Sequence, residues 1–93
     1  MDIQTMHKKG FDILDSKTKT ALKLAEKRRD IQGNPDATER TKRDADSAYL
    51  IAINNVIETR NLLDALELLT YEEVETSLDT IDKIISIAHQ TIT

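Results

Sequence analysis

The strongest constraint in this 93-residue sequence is where a helix cannot continue. Its single proline and one of its two glycines fall together in Gly33-Asn34-Pro35-Asp36, and the other glycine is Gly10. Glycine and proline are the residues that most weaken a helix interior. Nothing of comparable strength interrupts residues 11 to 32 or 36 to 93. Both stretches are rich in Ala, Leu, Ile, Lys, Glu and Asp, and the frequent turn signals that strands need are missing. The sequence predicts an all-α chain.

The first helix is predicted over residues 3 to 32, with Asp2 as N-cap and Gly33 as a left-handed C-terminal residue. Ile3, Met6, Leu14, Ala21, Leu22 and Ala25 recur along it at helical spacing. Asn34 is read as the cap of a second helix over 35 to 68, with Pro35 in its first turn, where a missing N–H costs nothing. Asp36 with Arg40, and Glu39 with Arg43, place an acid four residues before a base. Thr70-Tyr71-Glu72-Glu73 reads as a capping box, with Leu69 and Val74 positioned as a hydrophobic staple. The third helix, predicted over 71 to 90, carries Val74, Leu78, Ile81, Ile85, Ala88 and Ile92 on one stripe, widened by Ile84 and Ile87.

Short connections make the three helices of this single domain, residues 1 to 93, antiparallel neighbours. At 1.5 Å per residue the first two are each about 45 to 50 Å long and the third only about 30 Å. A third helix folded back on the second therefore lies beside residues of about 50 to 69. It leaves the Asn34 end as a bare two-helix projection.

The apolar pattern of the second helix points beyond the chain. Fourteen of the twenty-two residues from 48 to 69 are apolar, and Ala48, Tyr49, Leu50, Ile51, Ala52, Ile53, Val56 and Ile57 surround the helix almost completely. Each neighbouring helix shields a stripe of about 100°, so two neighbours leave one side of this segment uncovered. Tyr49, Leu50, Ile53, Ile57, Leu62 and Leu66 are the candidate partner-binding residues, and self-association or packing against another helical protein is the expected use.

No chemistry competes with that expectation. Without cysteine there is neither a disulfide framework nor a thiolate metal site. His7 and His89 are the only imidazoles, and the antiparallel arrangement predicts them too far apart to share a metal. Glu72, Glu73, Glu75, Asp79 and Asp82 lack the Glu-x-x-His pairing of di-iron bundles and read as a solvated acidic face. Nor is there a Gly-rich phosphate loop or a nucleophile with a neighbouring base. No catalytic, metal or cofactor site is predicted, and the chain is read as non-enzymatic. No apolar run approaches the ~20 residues of a membrane span, and Met1-Asp2-Ile3-Gln4-Thr5 lacks the order of a signal peptide, which makes a soluble cytoplasmic protein the default expectation.

Charge is distributed unevenly along a chain of net charge -4. Residues 8 to 43 hold eleven of the thirteen Lys and Arg, whereas residues 61 to 93 hold one, Lys83, against seven acids. Lys27, Arg28, Arg29, Arg40, Lys42 and Arg43 gather toward the projecting turn, a pattern suited to phosphate or lipid head groups. Nucleic acid is disfavoured by the acidic total and by the lack of aromatics near that turn.

Ala25-Glu26-Lys27-Arg28-Arg29-Asp30, followed after the turn by Ala48-Tyr49-Leu50-Ile51-Ala52-Ile53-Asn54-Asn55, resembles the long-helix hairpin of F-BAR domains, and more loosely other BAR-superfamily proteins, over residues 13 to 69. That resemblance implies an antiparallel dimer of long helices that binds and bends anionic membranes. It assigns lipid contact to Lys27, Arg28 and Arg29, and further to Arg40, Lys42 and Arg43. A membrane-surface scaffold is thus the alternative to a protein-protein interaction module.

Overall fold

The computed structural model describes residues 2 to 90 and contains three helices, α1 (Ile3–Gln32), α2 (Glu39–Ala65) and α3 (Tyr71–Ala88). All three pack on one core of Leu14, Ala21, Ala25, Tyr49, Ala52, Ile53, Val56, Leu63, Leu69, Ile81, Ile84 and Ala88. The molecule measures 52 × 21 × 16 Å. Its radius of gyration is 15.3 Å, against roughly 12 Å for a compact domain of this length.

Local signals set most of the helix ends. Asp2 caps α1 by accepting the Thr5 N–H at 2.7 Å. The capping box at α3 is complete, because the Thr70 hydroxyl accepts the Glu73 N–H (3.1 Å) while Glu73 Oε1 accepts the Thr70 N–H (2.8 Å). Leu69 is buried and Val74 packs against the core beside it.

The turn departs from expectation. Gly33 is right-handed, with φ at -84°; its N–H still reaches Arg29 O and the Asn34 N–H reaches Ile31 O, so the chain leaves α1 without using a glycine's freedom. Asn34 does not cap α2. Its Oδ1 accepts the Asp36 N–H at 2.9 Å and its carbonyl accepts the Ala37 N–H, an Asx turn that competes with capping. Pro35 is consumed in that turn, and α2 starts four residues later than expected, capped by Thr38 accepting the Thr41 N–H.

α2 also stops early, at Ala65 rather than near 68. Glu67 is left-handed, with φ at 57°. Its N–H donates to Asp64 O (3.0 Å) and the Leu68 N–H donates to Leu63 O (2.8 Å), the two bonds of a Schellman motif. Its customary apolar contact has both members available, since Leu63 is buried and Leu68 packs on the core. The third helix likewise ends at Ala88 instead of 90.

Packing registers follow from these ends. Gly10 lies opposite Leu63, where a Cβ would stand 2.8 Å from Leu63 Cδ2, so its absent side chain lets α2 approach α1 closely. Arg28 lies opposite Asp46. α3 runs back along α2 from Ser77, which accepts Arg60 Nε at 2.8 Å, to His89, whose ring meets Tyr49 edge-on at 5.9 Å. The turn end therefore extends past α3 as the sequence predicts.

Three predicted stripes are displaced. Ile3 and Met6 are exposed because α1 begins beyond the end of α2. On α3 the buried side centres on Ile81, Ile84 and Ala88, leaving Leu78 and Ile85 partly in solvent; Ile92 lies outside the described residues. The segment from 48 to 57 buries Tyr49, Ala52, Ile53 and Val56 but exposes Leu50 and Ile51.

Candidate interaction surface

Of the six predicted partner-binding residues, the structure divides the set. Tyr49 and Ile53 belong to this chain's own core, and Ile57 packs half-buried against it, so the first two cannot meet a partner. The reason is rotational: α1 and α3 approach α2 on the side that carries Tyr49, Ile53 and Val56. Leu50, Leu62 and Leu66 remain exposed at 45, 59 and 58%. Ile51, which was not among the six, is the most open large apolar residue of α2 at 65%.

These residues fall on two sides of α2. Ile51 and Asn55 line a groove with Lys17, Thr20 and Leu24 of α1, and a second groove continues it along Leu24, Lys27, Ile31, Asp44 and Ala48. Projection at 100° per residue puts Leu62 within 20° of Ile51, and Leu66 within 20° of Asn55. On α1, Met6 and Ile13 project onto the side of Lys17, Thr20 and Leu24, and both are exposed. One α1/α2 face, on the side away from α3, thus carries Met6, Ile13, Ile51, Leu62 and Leu66. Sequence reasoning passed over Ile13, although Ile13, Lys17, Thr20 and Leu24 share the i, i+4, i+7, i+11 spacing of one helix side. Leu50 projects instead toward the flank between α2 and α3.

The basic residues are also divided. Arg28 is drawn inward: Nε donates to Asp46 Oδ1 and Nη1 to Ala88 O, each at 2.6 Å, with the guanidinium 6.0 Å from the Tyr49 ring centre. Burial pushes the Tyr49 phenol above its usual range, an effect the Arg28 charge opposes. Arg29 donates to Asp30 and to Gln90 Oε1. Arg28 is thereby engaged within the chain, whereas the Asp30 and Gln90 contacts of Arg29 are exposed. Lys27, Arg40 and Arg43 are exposed and Lys42 is half-buried.

The histidines stand at opposite ends of α3. His7 Nε2 lies 2.8 Å from Glu73 Oε1, and His89 Nδ1 lies 2.9 Å from Ile85 O. Burial alone would raise the Glu73 carboxyl, but the hydrogen bonds from Thr70 and His7 outweigh it and hold the group below the usual carboxylate range. A third cleft, of about 360 Å³, lies between α1 and α3. Its lining includes Phe11, Leu14, Asp15 and Glu73; Asp15 pairs with Lys19 at 3.0 Å and Glu73 with Thr70 and His7, leaving these two carboxylates engaged. Among the described residues, no three His, Asp or Glu side chains converge as metal ligands, and no helix is long and apolar enough to cross a membrane.

Compared with protein-family models, curated proteins and solved structures, the chain matches none.

Proposed function

We propose that this protein is a non-enzymatic helical interaction module that associates through the α1/α2 face. One observation carries the reading: Ile51, which lines the α1/α2 groove, and Ile13, Leu62 and Leu66, which project to the same side, are each more than half exposed. Single apolar residues are ordinary on a surface, whereas four aligned on one side of a helix pair, here interrupted by Asn55 and Glu58 between Ile51 and Leu62, are a candidate contact. The surface area supports the same reading. The chain exposes 6489 Å², against roughly 5,400 Å² for a compact monomer of its mass. That excess of about 1,000 Å² is comparable with the ~800 Å² that each partner buries in a standard interface.

Sedimentation equilibrium across the micromolar range tests the reading. Association of the wild type that is lost in Ile51→Lys/Leu62→Lys, with helicity intact by circular dichroism, is the expected result. A clean monomer at every concentration would remove self-association. The alternative reading, a membrane-surface scaffold, rests on Lys27, Arg29, Arg40, Lys42 and Arg43, with Arg28 engaged within the chain. Reversing Arg40, Lys42 and Arg43 to Glu should leave the fold within about 0.5 kcal/mol per site; vesicle binding by the wild type that this variant loses would move the assignment to the lipid reading.

A further inference from the structure

We infer that two copies of this chain exchange α3: the connection between α2 and α3 opens into helix, and each α3 packs on the α1/α2 hairpin of the other copy. The exchange goes beyond the association proposed above and does not use the α1/α2 face.

The connection holds strain in a segment suited to helix. Glu67 has a left-handed φ of 57°, which is unfavourable for an L-residue and easy for glycine. Around it, Asp64-Ala65-Leu66-Glu67-Leu68-Leu69 contains neither glycine nor proline, and Ala, Leu and Glu are good helix formers. Making residues 66 to 70 helical relieves Glu67. It breaks the Schellman bonds and the Thr70–Glu73 capping box, but those bonds satisfy groups at helix ends, and a continuous helix satisfies the same groups internally. Short hinges under strain favour exchange of an identical element between copies.

The core stripes of the two helices are in phase across the connection. Tyr49, Ile53, Val56 and Leu63 of α2, and Val74, Ile81, Ile84 and Ala88 of α3, belong to the core or pack on it. Together with Arg60, Glu67, Thr70 and Ser77 they form one series from 49 to 88 at alternating spacings of four and three, the seam of two paired long helices. A continuous helix over residues 39 to 88 is about 75 Å long and presents both stripes on one side. Arg60 donates to Ser77. If two such helices pair antiparallel in that register, the Arg60–Ser77 bond forms between copies, Leu63 meets the second copy's Val74, and Glu67 meets its Thr70.

α1 already extends along the path of the opened helix. Gly10 opposite Leu63 and Arg28 opposite Asp46 set a register in which positions 67 and 70 of a continued α2 fall opposite Met6 and Ile3. Those two residues are 41 and 77% exposed where α2 has ended at Ala65. Charge opposes the exchange: residues 2 to 12 and 60 to 74 hold six acids against three Lys and Arg, and the dimer brings both sets together, so screening by salt favours it.

The test uses the Ile51→Lys/Leu62→Lys background, which removes the face association, so that the two readings fail separately. Arg60→Cys and Ser77→Cys are added to a chain that has no cysteine of its own. The protein is concentrated at its urea midpoint, returned to buffer with about 0.5 M salt and separated by size, and a short bismaleimide links the cysteines of each fraction. The dimer fraction should give covalent dimers on a denaturing gel, because seventeen residues of continuous helix hold the two cysteines of one exchanged chain about 25 Å apart. The monomer fraction should give internally linked monomers. A dimer fraction that yields only linked monomers overturns the exchange, as does the absence of a dimer fraction. Glu67→Gly, made without the cysteines, is the second measurement. It favours the closed turn and weakens the continuous helix in both copies, so the dimerisation constant should fall about a hundredfold; a constant within about twofold of its parent would overturn the inference.

Discussion

Arg28→Met is the substitution that probes most of this fold at one position. Arg28 stands near the end of α1 and joins it to both other helices, donating from Nε to Asp46 of α2 and from Nη1 to the carbonyl of Ala88, the last residue of α3. That carbonyl is one of the orphans at a helix C-terminus, where a cation is also favoured by the helix dipole. Methionine keeps much of the packing stem and removes both bonds. Hydrogen bonds to charged groups contribute about 1.5 to 3 kcal/mol, but the Asp46 side chain is 38% exposed and water replaces most of its share, leaving about 0.5 kcal/mol. The buried Ala88 end retains about 1.5 kcal/mol. A net loss near 2 kcal/mol lowers the midpoint of thermal unfolding by about 8 to 16 °C in a domain of this size. Melts followed by circular dichroism at one fixed protein concentration measure it. Repeating the change in an Asp46→Asn background should give a coupling of only about 0.5 kcal/mol. A midpoint for Arg28→Met within about 2 °C of the wild type would refute the assignment of Arg28 as the clasp between the three helices.

Two further changes test the helix ends. Glu67→Gly should stabilise the chain by about 1 kcal/mol, because Glu67 holds a left-handed φ of 57° that costs an L-residue roughly that much and glycine almost nothing; urea unfolding showing a loss of midpoint would sink the Schellman assignment. Glu73 supplies a pH test: with its folded carboxyl held below the ordinary value of 4.5, its stabilisation is full above that pH and is lost as pH falls through the folded value. Glu73→Gln should therefore flatten the acid limb of the stability profile. An unchanged limb would show that the Thr70 and His7 bonds do not distinguish the carboxylate from the acid.

Helix ends were legible in the sequence where one local interaction was at stake, and illegible where two competed. Thr70 and Glu73 lie three residues apart and satisfy each other, and Asp2 meets Thr5 at the same spacing, so both caps could be read directly. At the turn, Asn34 and Thr38 are both good caps. Asn34, followed by Pro35, reads as the cap, yet its side chain bonds Asp36 instead. Glu67 gave no signal, because nothing in a glutamate marks a left-handed position.

The interaction surface shows the same division at the level of packing. That two neighbours would leave one side of residues 48 to 57 open follows from counting apolar stripes, and Leu50 and Ile51 are indeed exposed. Which residues fill the core depends on how α1 and α3 rotate around α2, and a helical wheel has no origin until one contact is fixed. Gly10 against Leu63 and Arg28 opposite Asp46 provide that origin. With it, Tyr49 and Ile53 turn inward, while Ile51, Leu62 and Leu66 align with Ile13 of α1. Because α3 covers the other side of the hairpin, no helix among the described residues is left to bury the side with Ile51 and Ile13.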